Sequence, residues 1–288
     1  MSIYKIEQKN SFNKKFQQLI PKLPQAAQDY LLSQINHLEA STRYGYASNY
    51  LIFFSFVCEK ITRFTHLIPS EMTLDDLKNI SHTEIDYFKD YYSVDHSTYA
   101  LNRILSSLSS LYNFYIRQYV LEVNPIISVK RSIPKKLQLS ISQDDVTIIL
   151  SNAINGNFLS GKALTHHTRL KARDYAILRL ITDLGLSVSD ICGLNIKDID
   201  IDNNTLWLFS SKNGWSVLHF TDDLKAILAD YSEYRHSKNH LDEDAYFIQR
   251  DGKRLSQRSI ELIVKKYCST SSELASMTPR KLRSFAIN

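Results

Sequence analysis

The 288-residue sequence predicts a mostly α-helical protein of two domains, with a small antiparallel β-sheet in the second. Three observations support this. Seven glycines and six prolines are few for the length, and because both residues interrupt helices, their scarcity favours long helices with short connections. Apolar residues recur at steps of three and four through most of the chain, the spacing of one helical face. Between Ile199 and Phe220 the spacing drops to two, which is the period of a strand.

Taken in order, Ser41-Thr42 is the expected N-cap of a helix carrying Tyr46, Tyr50, Phe53, Phe54 and Val57, and Asp86, Tyr87 and Phe88 belong to a shorter one. Leu101, Leu105, Leu108, Tyr112 and Tyr115 form a single stripe, so residues 97–118 read as a long helix. Asn124-Pro125 closes that pattern, and Lys130, Arg131, Pro134, Lys135 and Lys136 follow as a basic, proline-punctuated stretch. The expected division is a helical domain at 1–132 with residues 1–20 as a flexible arm, a linker at 133–141, and a mixed domain at 142–288. In the latter, Ser142-Gln143-Asp144-Asp145 is a capping turn that leads into Val146, Ile149 and Leu150. Residues 173–186 are apolar on one face and end at Gly185, a helix-terminating glycine, and a new short helix starts at Ser187 to Ser189. Ile199, Ile201, Leu206, Leu208, Val217, Leu218 and Phe220 alternate around Asn203-Asn204 and Asn213-Gly214, giving short hairpin strands. Helical spacing then returns through Leu224–Tyr234, Ser259–Tyr267 and Pro279–Ile287.

Composition narrows the function classes. At 43% hydrophobic and 23% charged residues the chain can bury a full core, which excludes a disordered tail or a fibrous repeat. Cys58, Cys192 and Cys268 are odd in number and form no C-x-x-C pair, so neither a disulfide framework nor a zinc site is expected. The start carries lysines but no apolar run of a secretory signal, and Tyr50 to Val57 is far shorter than the roughly 20 residues of a spanning helix. The reading is a cytoplasmic protein without a membrane partner. Its net charge of +5 is uneven: 16 Lys+Arg stand against 12 Asp+Glu before residue 140, and 19 against 18 after it. A basic excess in the first half suits phosphate neutralisation.

Three collinear stretches carry a family resemblance. Residues 101–131 (LNRILSSLSSLYNFYIRQYVLEVNPIISVKR), residues 173–200 (RDYAILRLITDLGLSVSDICGLNIKDID), and residues 245–267 with 278–286 (ending TPRKLRSFA) together resemble the tyrosine recombinases, the phage-integrase and Xer-type family. The resemblance implies a helical, SAM-like core-binding domain and an α+β catalytic-type domain that close around duplex DNA. It implies strand cleavage by a tyrosine hydroxyl, giving a 3′-phosphotyrosyl link and a free 5′-hydroxyl, with no metal and no nucleotide cofactor. Such chemistry needs permanently charged arginines on the non-bridging oxygens, a lysine general acid, and histidines for proton transfer. The family supplies them in a T-G-L-R-x-S-E turn, a hairpin lysine and an H-x-x-R-H helix, with the nucleophile near the C-terminus.

This sequence departs from that pattern. Ser187 occupies the first arginine's position, while Asp190 keeps the acidic one. Lys212 lies near the hairpin lysine's slot, with Ser211 as the alternative alignment. Arg283 matches the second arginine, and Arg280 and Ser284 stand where histidines belong. The last histidine is His240 and the last tyrosine is Tyr267, which precedes the arginine helix and reads as a core residue rather than a substitute nucleophile. The nucleophile segment is thus expected to be missing if the chain ends at Asn288. Expected DNA contacts are Arg103, Lys130, Arg131, Lys135, Lys136, Arg254, Arg258 and Lys281. Three readings follow: a DNA-binding, catalytically degenerate member of the family acting as a decoy, accessory factor or regulator at recombination sites, assembled on DNA with itself or a related recombinase; a truncated form of an active recombinase; or a protein scaffold for a partner recombinase.

Overall fold

The computed structural model describes residues 3–131, 141–210, 214–237, 241–268 and 274–287. They fall into two compact units, Ile6–Leu137, and Met1–Lys5 with Gln138–Asn288.

The first unit is helical: α1 (Ile3–Leu19), α2 (Gln25–Ser33), α3 (Ala40–Lys60), α4 (Leu74–Asn79), α5 (His82–Ser93) and α6 (Thr98–Arg117). Ser97 caps α6 by accepting from the Ala100 N–H, and the predicted stripe from Leu101 to Tyr115 is buried throughout. That stripe packs on Tyr50, Phe53 and Phe54 of α3. Phe53 meets Phe88 of α5 edge-on, with centroids 5.1 Å apart at 89°. Buried tyrosine hydroxyls must find acceptors. Tyr50 donates to the Ser107 carbonyl at 2.8 Å, Tyr112 to Leu77 at 2.9 Å, and Tyr115 to Ala26 at 2.9 Å. These bonds tie α6 to three other segments.

Two expectations are corrected here. Where the sequence reading expected a flexible arm at 1–20, Ile3–Leu19 is a helix whose Phe16, like Ile20 after it, is buried in this core. Its apolar residues are too sparse to show a stripe, and only their distant partners reveal the buried side. The α3 helix also starts earlier than Ser41-Thr42: Glu39 is its N-cap, the Thr42 N–H donates to the Glu39 carbonyl at 2.9 Å, and Ala40 is already buried.

The second unit comprises α7 (Gln143–Asn155), α8 (Gly161–Leu184), α9 (Val188–Gly193), β1 (Ile199–Asp200), β2 (Thr205–Ser210), β3 (Gly214–His219), α10 (Asp222–His236), α11 (Gln257–Cys268) and α12 (Pro279–Ile287). Its start is the predicted capping box: the Asp145 N–H donates to Ser142 Oγ at 3.1 Å and the Ser142 N–H to Asp145 Oδ2 at 2.9 Å. The strands form an antiparallel sheet in the order β1-β2-β3, with Ile199 opposite Leu206 and Leu206 opposite Leu218. Leu206 points into the core while Trp207 and Trp215 are exposed, the alternation a one-sided sheet requires. Helix α8 is the spine, packed against α7, α10, α11 and α12. Tyr4 is buried in this unit's core. Gly185 ends α8 at φ +61°, a left-handed conformation that costs glycine little.

Truncating Leu105, fully buried on α6, to alanine is expected to destabilise the first unit by about 2–5 kcal/mol, measured as a lower midpoint in urea denaturation.

Candidate nucleic-acid interface

The turn after α8 holds Ser187, which the sequence resemblance sets against the family's first arginine. Ser187 there is the N-cap of α9 and is fully committed to it. Its Oγ donates to Asp190 Oδ2 at 2.6 Å, its N–H donates to the same oxygen at 3.1 Å, and the Asp190 N–H returns to Ser187 Oγ at 3.2 Å. The carboxylate that would buttress an arginine instead closes a capping box. Arg283 of α12 reaches the same turn: its Nε donates to the Gly185 carbonyl, two residues before Ser187. The fully buried Leu282 anchors that helix in the core. Ser284 Oγ turns back to the Lys281 carbonyl at 2.6 Å, and Lys281 Nζ folds onto the Ser276 carbonyl at 3.0 Å. Arg280 is exposed and forms no ion pair among the described residues. Lys212 and Ser211 lie outside the described residues, as do Lys135 and Lys136.

In the first unit, the polar side of α6 gathers cations. Arg103 is exposed, and its guanidinium donates to Asn49 Oδ1 at 3.1 Å. Asn49 is itself buried and donates to Ser107 Oγ at 3.1 Å. One turn along, Arg131 donates to Ser106 Oγ at 2.9 Å, and Lys130 beside it is exposed. Arg103, Lys130 and Arg131 have no carboxylate partner among the described residues. Unneutralised cations held on one helix face are what a phosphate backbone requires.

Arg254 corrects the sequence reading. Its side chain is 10% exposed, and all five N–H donors are used. It binds Asp242 through Nε at 2.9 Å and a second nitrogen at 3.4 Å, the Cys192 and Leu194 carbonyls at 3.1 and 3.0 Å, and Asn195 Oδ1 at 2.8 Å. It also lies over the Tyr4 ring. No donor is left for DNA. Arg258, by contrast, is 75% exposed and only loosely paired with Glu261 at 3.1 Å.

Sequence reasoning missed a buried network between α8 and α11. Asp174, 2% exposed, accepts from Arg173 at 2.7 Å, from the Tyr267 hydroxyl at 3.0 Å and from Lys266 at 3.4 Å, and His167 Nδ1 lies 3.0 Å from the same hydroxyl. Burial and the Asp174 carboxylate push the Tyr267 hydroxyl far above the ordinary tyrosine range. Buried and bonded, Tyr267 is a core residue, as the sequence suggested. Burial, aided by the Lys266 charge, holds the His167 imidazole below its usual value.

Arg254→Ala is expected to destabilise by roughly 2–4 kcal/mol, because it removes the five hydrogen bonds of one nearly buried guanidinium, whereas Arg258→Ala should change stability by about 0.5 kcal/mol or less. Thermal denaturation distinguishes the two. The His167 shift also sets a pH dependence. Because the unfolded histidine binds its proton more readily, the stabilisation present above the unfolded value of 6.5 should fall away as pH drops below it. A His167→Gln variant should lose that portion of the slope in melting curves recorded across pH.

Comparison with known proteins agrees with this geometry. Residues 149–288 match the phage integrase family. The chain is similar to the tyrosine recombinase XerD of Oceanobacillus iheyensis, 30% identical over 197 residues that cover 66% of this chain and 62% of that protein. It is also similar to XerC of Caldanaerobacter subterraneus subsp. tengcongensis, 25% identical over 260 residues, 85% of this chain and 69% of the relative. The first of these matches thus spans less than two thirds of the relative's length. Among solved structures, XerH recombinase bound to a palindromic difH substrate shares the fold at TM-score 0.65 and 16% identity, covering 96% of this chain and 81% of that one. A lambda integrase dimer bound to a COC′ core site does so at TM-score 0.60 and 16% identity, covering 91% and 86%. Residues 149–288 thus carry a phage integrase family domain, and the chain as a whole is similar to tyrosine recombinases.

Proposed function

We propose that this chain binds duplex DNA at recombination or integration sites and is a poor catalyst of strand cleavage. The observation that carries this reading is Ser187, whose hydroxyl is committed to Asp190 where the family places an arginine. A serine hydroxyl supplies no fixed positive charge, and loss of one charge-stabilising donor typically costs about 10²–10³ in turnover. Of the family's arginine pair only the second then has a counterpart here, Arg283, held at this turn by the Gly185 carbonyl. Binding tolerates the change better than catalysis does. Ground-state affinity comes from many dispersed cations, whereas cleavage needs one charge geometry present only in the transition state.

Arg103, Lys130 and Arg131 are proposed to contact phosphates from the first unit, with Lys135 and Lys136 continuing that basic run. Arg258, Arg280 and Lys281 are proposed to do so from the second. Solved relatives such as a lambda integrase tetramer bound to a Holliday junction support assembly on DNA, with further copies of this chain or with a related recombinase.

The test is a nicked suicide duplex from the native genomic neighbourhood, followed by gel shift across a salt series and by a search for an SDS-resistant band. We expect a shift that weakens steeply with salt and no adduct. Arg103→Ala should weaken binding to all sequences alike and reduce the magnitude of the log–log salt slope by about one. An SDS-resistant adduct would overturn catalytic impairment, and no shift at low salt would favour the protein scaffold.

A further inference from the structure

The second unit carries a basic concavity of about 490 Å³ whose lining includes His166, Thr168, Arg169, Tyr234, Gln249 and Arg250, and no carboxylate. Arg169 and Arg250 are in no ion pair among the described residues. His166 Nε2 lies 3.5 Å from an Arg250 nitrogen, a long hydrogen bond that brings the imidazole beside the guanidinium, with no carboxylate in the lining among the described residues. This place is separate from the Ser187 turn. Arg169 lies 15 residues before Leu184, the last residue of α8, so at 1.5 Å per residue about 20 Å of helix separates the two.

We propose that this concavity binds a phosphoryl group carried on a small organic body. Two guanidiniums and an imidazole match the charge and the donor needs of a phosphate, which guanidinium groups grip through paired N–H bonds. An anion seated there can accept from the Arg250 and Arg169 guanidiniums and from the imidazole N–H. Tyr234 and Ile248 add an apolar wall to the lining, so the body attached to the phosphate contributes affinity that a bare phosphate lacks. The volume is that of a small-molecule site.

The test is isothermal titration of the full chain with inorganic phosphate, with AMP, and with a short duplex. AMP is expected to bind at least about tenfold more tightly than inorganic phosphate, and removing a guanidinium should weaken either by about tenfold or more. The Arg169→Ala/Arg250→Ala double variant should therefore lose both, Arg169→Lys should retain part of the affinity, and Lys162→Ala, an exposed cation on the same helix outside the lining, should bind like the parent. Equal binding of phosphate and AMP would assign the site to the free anion. Because both arginines are exposed, unchanged melting of the double variant confirms that it is folded. Failure of both phosphate and AMP to bind, undiminished binding by the double variant, or a response to duplex alone would overturn the proposal. The salt-dependent gel shift of the double variant should survive, which separates this site's failure from failure of DNA binding.

Discussion

A single buried carboxylate sets the conditions for the second unit. Asp174 sits within α8, the helix on which α7, α10, α11 and α12 pack, and a bare charge there would be costly enough to prevent folding. It is accommodated because Arg173, Tyr267 and Lys266 all donate to it, and Arg173 also reaches the Ile248 carbonyl. Satisfying one group therefore fixes α11 and the 248 segment against α8. The far end of that helix then delivers Gly185 and Ser187 to the place where Arg283 arrives from α12.

The arginines of this chain divide by what surrounds them. Arg235 and Arg254 are drawn inward by backbone carbonyls left open at loop ends: Arg235 donates to Ala245 and Glu243, both at 2.9 Å, and Arg254 closes the loop around Cys192 and Leu194. A guanidinium suits this work, since its five donors can serve several acceptors at once. Arg103 and Arg131 instead lean on neutral Asn and Ser oxygens at the surface, which orient them without cancelling their charge. The first group holds the fold; the second keeps its charge at the surface.

The Ser187 turn shows how a catalytic position can be absorbed into structure. An N-terminal helix turn needs its free N–H groups satisfied, and Ser followed three residues later by Asp is a stable local solution. Once the acid is engaged in that box, the turn is well formed without an arginine. The helix start is satisfied on these terms by the serine and the aspartate alone.

Much of this was legible in the sequence because its causes are local. The α6 stripe, the Ser142 capping box, the Gly185 terminus and the hairpin alternation depend on neighbours within a few residues, and all four appear where the spacing predicts. The roles of α1, Arg254 and Asp174 were not legible there, because their partners lie far along the chain: Arg254 bonds to groups about 60 residues away, and Asp174 to a hydroxyl 93 residues away. Sequence by itself determined which segments become helix or strand, since backbone caps and side-chain period act at short range. Only the tertiary structure decided which charges are buried and bonded and which stay free for a ligand, since that depends on which carbonyls and carboxylates the folded chain brings beside each one.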